Sequence, residues 1–353
     1  MINNEIEISA EGLRIIANTA QYYDALLDAM REKVSMPKWM AWGGNSGKEY
    51  LYEMRAGQRV KKCIGVRSTV TESTYQAFQG RSELLAQRIE ATSKSLATCL
   101  AQYKVLHLPQ VMPLPARILR TLDLSGDLGT NLMVVGTNAF PAYEIEARER
   151  FAKGLDETED FDLGWCRGSK IAFNKVMSPA KGSPLFSAIK QVDKTFEINR
   201  KKPYQALNSA GYEVELLTAP SVMPTLSRDE VFSTAAIPEQ EWLLLGRPIR
   251  HVLCARDGSP APLYVPDPRY MGLHKLWLSA KETRRADKKD KDARQGELLL
   301  SAVARKMQTA YPMNLDFVLE LPEVLLPVFN QWAARNNFTP TKAANWWPES
   351  RAD

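Results

Sequence analysis

The chain has 353 residues, 44% hydrophobic and 25% charged, the balance of a globular protein long enough to bury its own core. This composition excludes a collagen-like, disordered or membrane-spanning chain, because no stretch approaches the ~18 apolar residues of a membrane span. Lys and Arg number 46 against 41 Asp and Glu, a net charge of +5. That mild excess permits a polyanionic partner such as a nucleotide or RNA without requiring one.

The start, MINNEIEISAEGLR, has no basic leader followed by an apolar run, so no secretory signal is expected. Apolar residues then recur at Leu13, Ile16, Tyr23, Leu26, Leu27 and Met30, close to the period of a helix. A second helical run carries Leu84, Leu85, Ile89, Leu96, Leu100 and Tyr103. Pro115 opens a further short helix in ARILRTLDL. Residues 1–128 therefore read as a helical front region. Within it, GGNSGKE imitates a phosphate loop but has Trp42 where Gly is required and Glu49 where Ser or Thr is required, so it reads as a turn.

The texture changes at Asn131. LMVVG reads as a short buried strand ending in Gly136, and TNAFPAYEIEARERFAKG as a helix starting near Thr137. EDFDLGW is a strand, FSAIKQV a weak helix, and YQALNSAGYEVELLT two strands around a Ser-Ala-Gly turn. IRHVLCARDGSPAPLYV reads as a hairpin turning at Asp257-Gly258. Residues 129–267 thus form an α/β core, and residues 268–353 a C-terminal region that is helical to about residue 338. The fold class is α+β, a small mixed sheet with helices flanked by helical regions. Cys63, Cys99, Cys166 and Cys254 form no metal or disulfide pattern, and reduced thiols in a cytoplasm are expected. His107, His251 and His274 are too scattered for a zinc motif.

Chemistry concentrates in two strands. In EDFDLGW, Asp160 and Asp162 are two apart and project from one face, while Phe161 and Leu163 point to the other. YEVELL repeats the pattern, with Glu213 and Glu215 opposite Val214 and Leu216. If these strands are neighbours, three or four carboxylates converge, a hard-oxygen set suited to Mg²⁺ or Mn²⁺. The same alternation also describes any half-exposed sheet. Ahead of them, the strand-to-helix turn at Gly136-Thr137 has the features of a phosphate site: free backbone N–H groups, a glycine that permits close approach, and a hydroxyl donor. A plain helix cap is the alternative.

This order of Gly-Thr turn, DxD strand and later acidic strand resembles the nucleotidyltransferase fold of the polymerase-beta superfamily. More closely, VVGTNAFPAYE, TEDFDL and YEVELLTAP, with IGVRST near residue 64 and HKLWLS followed by KDARQ, resemble a bacterial family of nucleotidyltransferase-fold proteins whose function is generally unassigned. More distantly, the chain is similar to nucleotidyltransferase toxins of abortive-infection systems. The resemblance implies Asp160, Asp162 and Glu215 as catalytic, Mg²⁺- or Mn²⁺-holding carboxylates, with Glu215 standing where Asp is usual. It implies Gly136 and Thr137 at the triphosphate of a bound NTP, and it matches Lys275 to a lysine of the family's C-terminal helix.

In KETRRADKKDKDARQ, helical spacing sets Lys281, Arg284, Lys288, Lys291 and Gln295 along one side. Such a stripe fits a triphosphate or an RNA backbone as well as a solvated helix face. Lys275, Lys288 and Lys291 are therefore the candidate nucleotide-binding cations. His274 is expected to be structural. The Trp346-Trp347 pair suits base stacking or docking of the tail. The expected activity is transfer of NMP from an NTP to an acceptor such as RNA or tRNA, a protein or a small molecule, with pyrophosphate leaving. The alternatives are an inactive nucleotide- or RNA-binding protein on the same fold and a toxin-like regulator.

Overall fold

The structure is a computed structural model describing residues 6–45, 47–151, 160–166, 184–222 and 232–342. Trp346 and Trp347 lie outside the described residues. A two-residue strand β1 (Ile6–Glu7) precedes α1 (Ala10–Ser35). The hydroxyl of Ser9 accepts from the Gly12 N–H and caps α1, satisfying one of its otherwise unpaired first-turn donors. There follow β2 (Trp39–Asn45), β3 (Lys48–Met54) and β4 (Lys62–Val66), then α2 (Thr69–Val105), β5 (Gln110–Val111) and α3 (Pro113–Ser125). The two long expected helices and the short one are present. The front region is not purely helical, however, because β2, β3 and β4 form an antiparallel sheet. GGNSGKE does turn, with Gly47 at φ +78°, but the residues on both sides alternate in and out of a sheet: Leu51 and Glu53 are buried, while Lys48 faces out.

The central sheet is built from β6 (Leu132–Val134), β8 (Asp160–Trp165), β9 (Glu197–Ile198), β10 (Gln205–Leu207), β11 (Glu213–Thr218) and β12 (Ala235–Ala236). Between β6 and β8 run α4 (Phe140–Ala147) and β7 (Glu149–Arg150), and α5 (Pro184–Val192) precedes β9. The strand order is β6-β8-β11-β10-β9, with β12 alongside the far end of β11. β8 and β11 are parallel neighbours, pairing Glu213 with Asp160 and Glu215 with Asp162. Phe161, Leu163, Val214 and Leu216 have no exposed surface, so their burial fixes the register and turns the acids to the opposite face.

Helix α4 is shorter than its sequence suggests. Gly136–Ala139 form a 3₁₀ turn, and α4 stops where Arg148 adopts φ 56°. The next residues leave the helix because Glu149 and Arg150 pair with β1, and the buried Glu149 is held by Arg305 at 2.9 Å.

The expected hairpin is β13 (Ile249–Ala255) and β14 (Pro260–Val265), with Gly258 at φ +84° in the turn and β5 added at its edge. The C-terminal helices are α6 (Pro268–Ala280), α7 (Ala286–Ala302), α8 (Leu315–Leu319) and α9 (Leu326–Arg335), with a π turn at Val303–Met307. Residues 281–285 break the helix, so Lys281 and Arg284 do not share one helical stripe with Lys288, Lys291 and Gln295. The break folds α7 back on α6. A Cβ on Gly296 would lie 2.8 Å from the Gly272 carbonyl oxygen and 2.7 Å from Leu276 Cγ, so glycine is what lets the two helices approach. One continuous apolar core runs from Ile8 to Ala333. Among the described residues no helix is long and apolar enough to cross a membrane.

Candidate active site

A cleft of about 390 Å³ opens between the acidic face of β8–β11 and the α6–α7 pair. Its floor holds Asp160, Asp162 and Glu215, and Gly136 and Thr137 line it as well. The facing wall carries Lys275 from α6, Lys281 and Arg284 from the connection, and Lys288 and Lys291 from α7. All eight residues singled out from the sequence thus line one cleft. The helix break moves Lys281 and Arg284 off the expected stripe but keeps both on this wall.

The turn is tied to the backbone of the floor by one main-chain and one side-chain donor. The Val135 N–H donates to the Asp162 carbonyl at 3.1 Å, and the Asn138 amide donates to the Asp160 carbonyl at 2.8 Å. Gly136 adopts φ +70°, and a Cβ there would run into the Asp162 carboxylate. Glycine is required on both counts. The Gln295 side chain, from α7, donates to the Thr137 hydroxyl at 3.4 Å, linking turn and wall.

The floor is electrostatically crowded. Asp162 is partly buried and lines the cleft. Burial, reinforced by the charges of Asp160 and Glu215, pushes its carboxyl up to about 7, against the opposing pull of Lys275 and Lys288. Lys288 lies 3.2 Å from Asp160, and the Gln205 amide donates to Glu215. Among the described residues the nearby Tyr212 hydroxyl is buried without a hydrogen-bond partner, and burial with the charges of Asp160 and Asp162 raises its pKa. Carboxylate oxygens of this kind fit a hard divalent cation, which would relieve the repulsion that now favours a proton on Asp162. Among the described residues, no three His, Cys, Asp or Glu groups already close around a single point.

The wall is organised by Asp292, which no spacing in the sequence marks. It accepts from Lys275 at 2.8 Å and from Arg284 at 2.7 Å, with Lys275 and Asp292 both buried. Burial and the charge of Lys275 lower the pKa of Lys291. His274 is buried beside Trp242 and Trp277, and burial first, then Lys275, holds its pKa down to about 3. Its Nδ1 has no hydrogen-bond partner among the described residues. The remaining end of the cleft is more apolar, with Leu217, Ile237, Leu243 and Leu278 beside Gln240. Ile237, Gln240 and Leu243 belong to the segment leading into and through a 3₁₀ turn at Pro238–Leu244, a stretch without a periodic signal in the sequence.

Residues 114–315 match a family model described as nucleotidyltransferase. This span includes the whole cleft and more than half of the chain. The chain belongs to the nucleotidyltransferase family. No curated protein and no solved structure matches it. The nucleotidyltransferase match ends within α8 and begins within α3, so α1, α2 and the β2–β4 sheet lie outside it.

Proposed function

We propose that the cleft transfers a nucleoside monophosphate from an NTP to an acceptor hydroxyl or phosphate, on a polymerase-beta-like core. The observation that carries this reading is the two-sided charge: three carboxylates on the sheet face five cations on α6, α7 and the connection between them, with the Gly136 turn beside them. The basic wall neutralises the triphosphate, with Lys275 held in place by Asp292. The Thr137 hydroxyl and the backbone N–H groups of the turn contact phosphate oxygens. The more apolar end, with Gln240, receives the base. Asp160, Asp162 and Glu215 would hold Mg²⁺ or Mn²⁺. When bound, such an ion supplies charge neutralisation and Lewis acidity at the transferring phosphorus. Glu215 orients the acceptor and, where that acceptor is a hydroxyl, takes its proton. The acceptor oxygen forms a bond to the α-phosphorus, the bond to the β-phosphate oxygen breaks, and pyrophosphate leaves. Positioning and electrostatics do most of the work, as in other phosphate transfers. RNA or tRNA is the acceptor class that the basic charge favours, and a protein or small molecule would use the same chemistry.

Asp162→Asn tests this reading. It is expected to abolish pyrophosphate release while circular dichroism and thermal unfolding show an intact fold. Full turnover by the variant would reject the assignment.

A second reading is binding without turnover. Lys288 on Asp160, Gln205 on Glu215, and a glutamate where aspartate is usual favour it. Calorimetric binding of NTP with Mg²⁺, with no pyrophosphate released in the presence of any acceptor pool, would select this reading. If a toxin-like activity operates, expression of the wild type slows host growth and expression of Asp160→Asn does not.

A further inference from the structure

We infer that the outer face of the β2–β4 sheet is a docking surface for single-stranded nucleic acid. Cross-strand register puts Trp39, Ala41 and Gly43 of β2 on the same face as Tyr50, Tyr52 and Met54 of β3. The opposite face carries the buried Leu51 and Glu53, and it turns toward α2, where Trp42 packs edge-on against Tyr75. The outer aromatics belong to no part of the core, and Trp39 is 36% exposed. Tyr52 lies across Gly43, where a Cβ would come within 3.0 Å of the ring. The glycine lets the ring lie down along the sheet. The ring also carries a cation, Lys61, at 3.9 Å from its centroid.

Charge selects the occupant. Between Lys38 and Arg67 the chain carries seven Lys and Arg but only two acids, Glu49 and Glu53. That excess equals the +5 of the entire chain. Both acids are already engaged, Glu49 by Arg67 and Glu53 by Arg55 and Lys62. Among the described residues, no ion pair involves Lys38, Lys48, Arg59 or Lys61. A sheet face of aromatics that carries Lys48 by register and Lys61 over the Tyr52 ring is complementary to a strand with unpaired bases and a phosphate backbone. Bases stack on the rings and phosphates meet the lysines. A duplex hides the faces of its bases and cannot use the rings.

The test is fluorescence anisotropy of the full chain with a labelled single-stranded RNA of about 12 nucleotides, within the lengths such platforms cover. Trp39→Ala and Tyr52→Ala should each weaken binding roughly tenfold, the size of one lost stack, and Tyr52→Phe should keep it. Lys48→Ala with Lys61→Ala should weaken binding and flatten its salt dependence. Equal affinity for single-stranded DNA of the same sequence also supports the proposal, since any base offers a stacking face. Asp162→Asn should bind as the wild type does, so the outcome does not depend on nucleotidyl transfer. Undiminished binding by both alanine variants, equal affinity for duplex or for polyglutamate, or loss of binding in Asp162→Asn would overturn the proposal.

Discussion

Gly136 and Asp162 constrain each other. The glycine sits in the left-handed region with the Asp162 carboxylate against its Cα hydrogen. Gly136→Ala should cost about 1–2 kcal/mol from the backbone alone, with a further cost from the clash. Urea unfolding reads the loss, and calorimetry should show weaker NTP binding. Unchanged stability and affinity would mean the turn has another conformation. His274 gives a pH signature of its own. Its folded pKa of about 3 lies below the ordinary 6.5, so the unfolded chain takes up a proton that the folded chain refuses. The contribution of this residue to stability is complete above pH 6.5 and is lost as the pH falls toward 3, by about 2 kcal/mol between pH 7 and 5. The stability advantage of the wild type over His274→Gln should shrink by that amount over this range. A pH-independent difference would show that His274 titrates normally.

At the scale of elements, two pairings build the cleft. Parallel pairing of β8 with β11 brings together acids more than fifty positions apart in sequence. The α6–α7 contact brings Lys275 to Asp292, which a single unbroken helix would hold roughly 25 Å away. Gly296→Ala inserts a methyl against Leu276 and the Gly272 backbone, and should destabilise by about 1–3 kcal/mol and raise the KM for NTP more than it changes overall secondary structure. Unfolding curves paired with initial-rate measurements check both effects, and wild-type values for each would show that the helices can separate at no cost. The acidic strands were legible because a period of two with fully buried partners survives in any context. The β2–β4 sheet was hidden because its glycines and mixed polar residues weaken the alternation, and long helices flank it. Asp292 was hidden in a run of alternating charge, where only the third dimension distinguishes a buried anion from a solvated one. The 3₁₀ turn carrying Gln240 has no repeat to detect.

Across the whole molecule, charge is sorted rather than spread. The cleft sets acids on the sheet against bases on α6, α7 and the connection between them, and the stretch from Lys38 to Arg67, outside the span matched by the nucleotidyltransferase family, carries five more positive than negative charges. The acid floor determines what the cleft can do, because it separates transfer of a nucleotidyl group from mere capture of an anion. The most direct measurement follows the fate of each phosphate. Protein is incubated with Mg²⁺, a total RNA or lysate pool, and each NTP labelled at the α- or the γ-phosphorus. The α-label is expected in an acceptor and the γ-label in pyrophosphate, and neither with Asp162→Asn. Transfer of γ-label to the acceptor, or equal α-labelling by wild type and Asp162→Asn, would contradict nucleotidyl transfer at this floor.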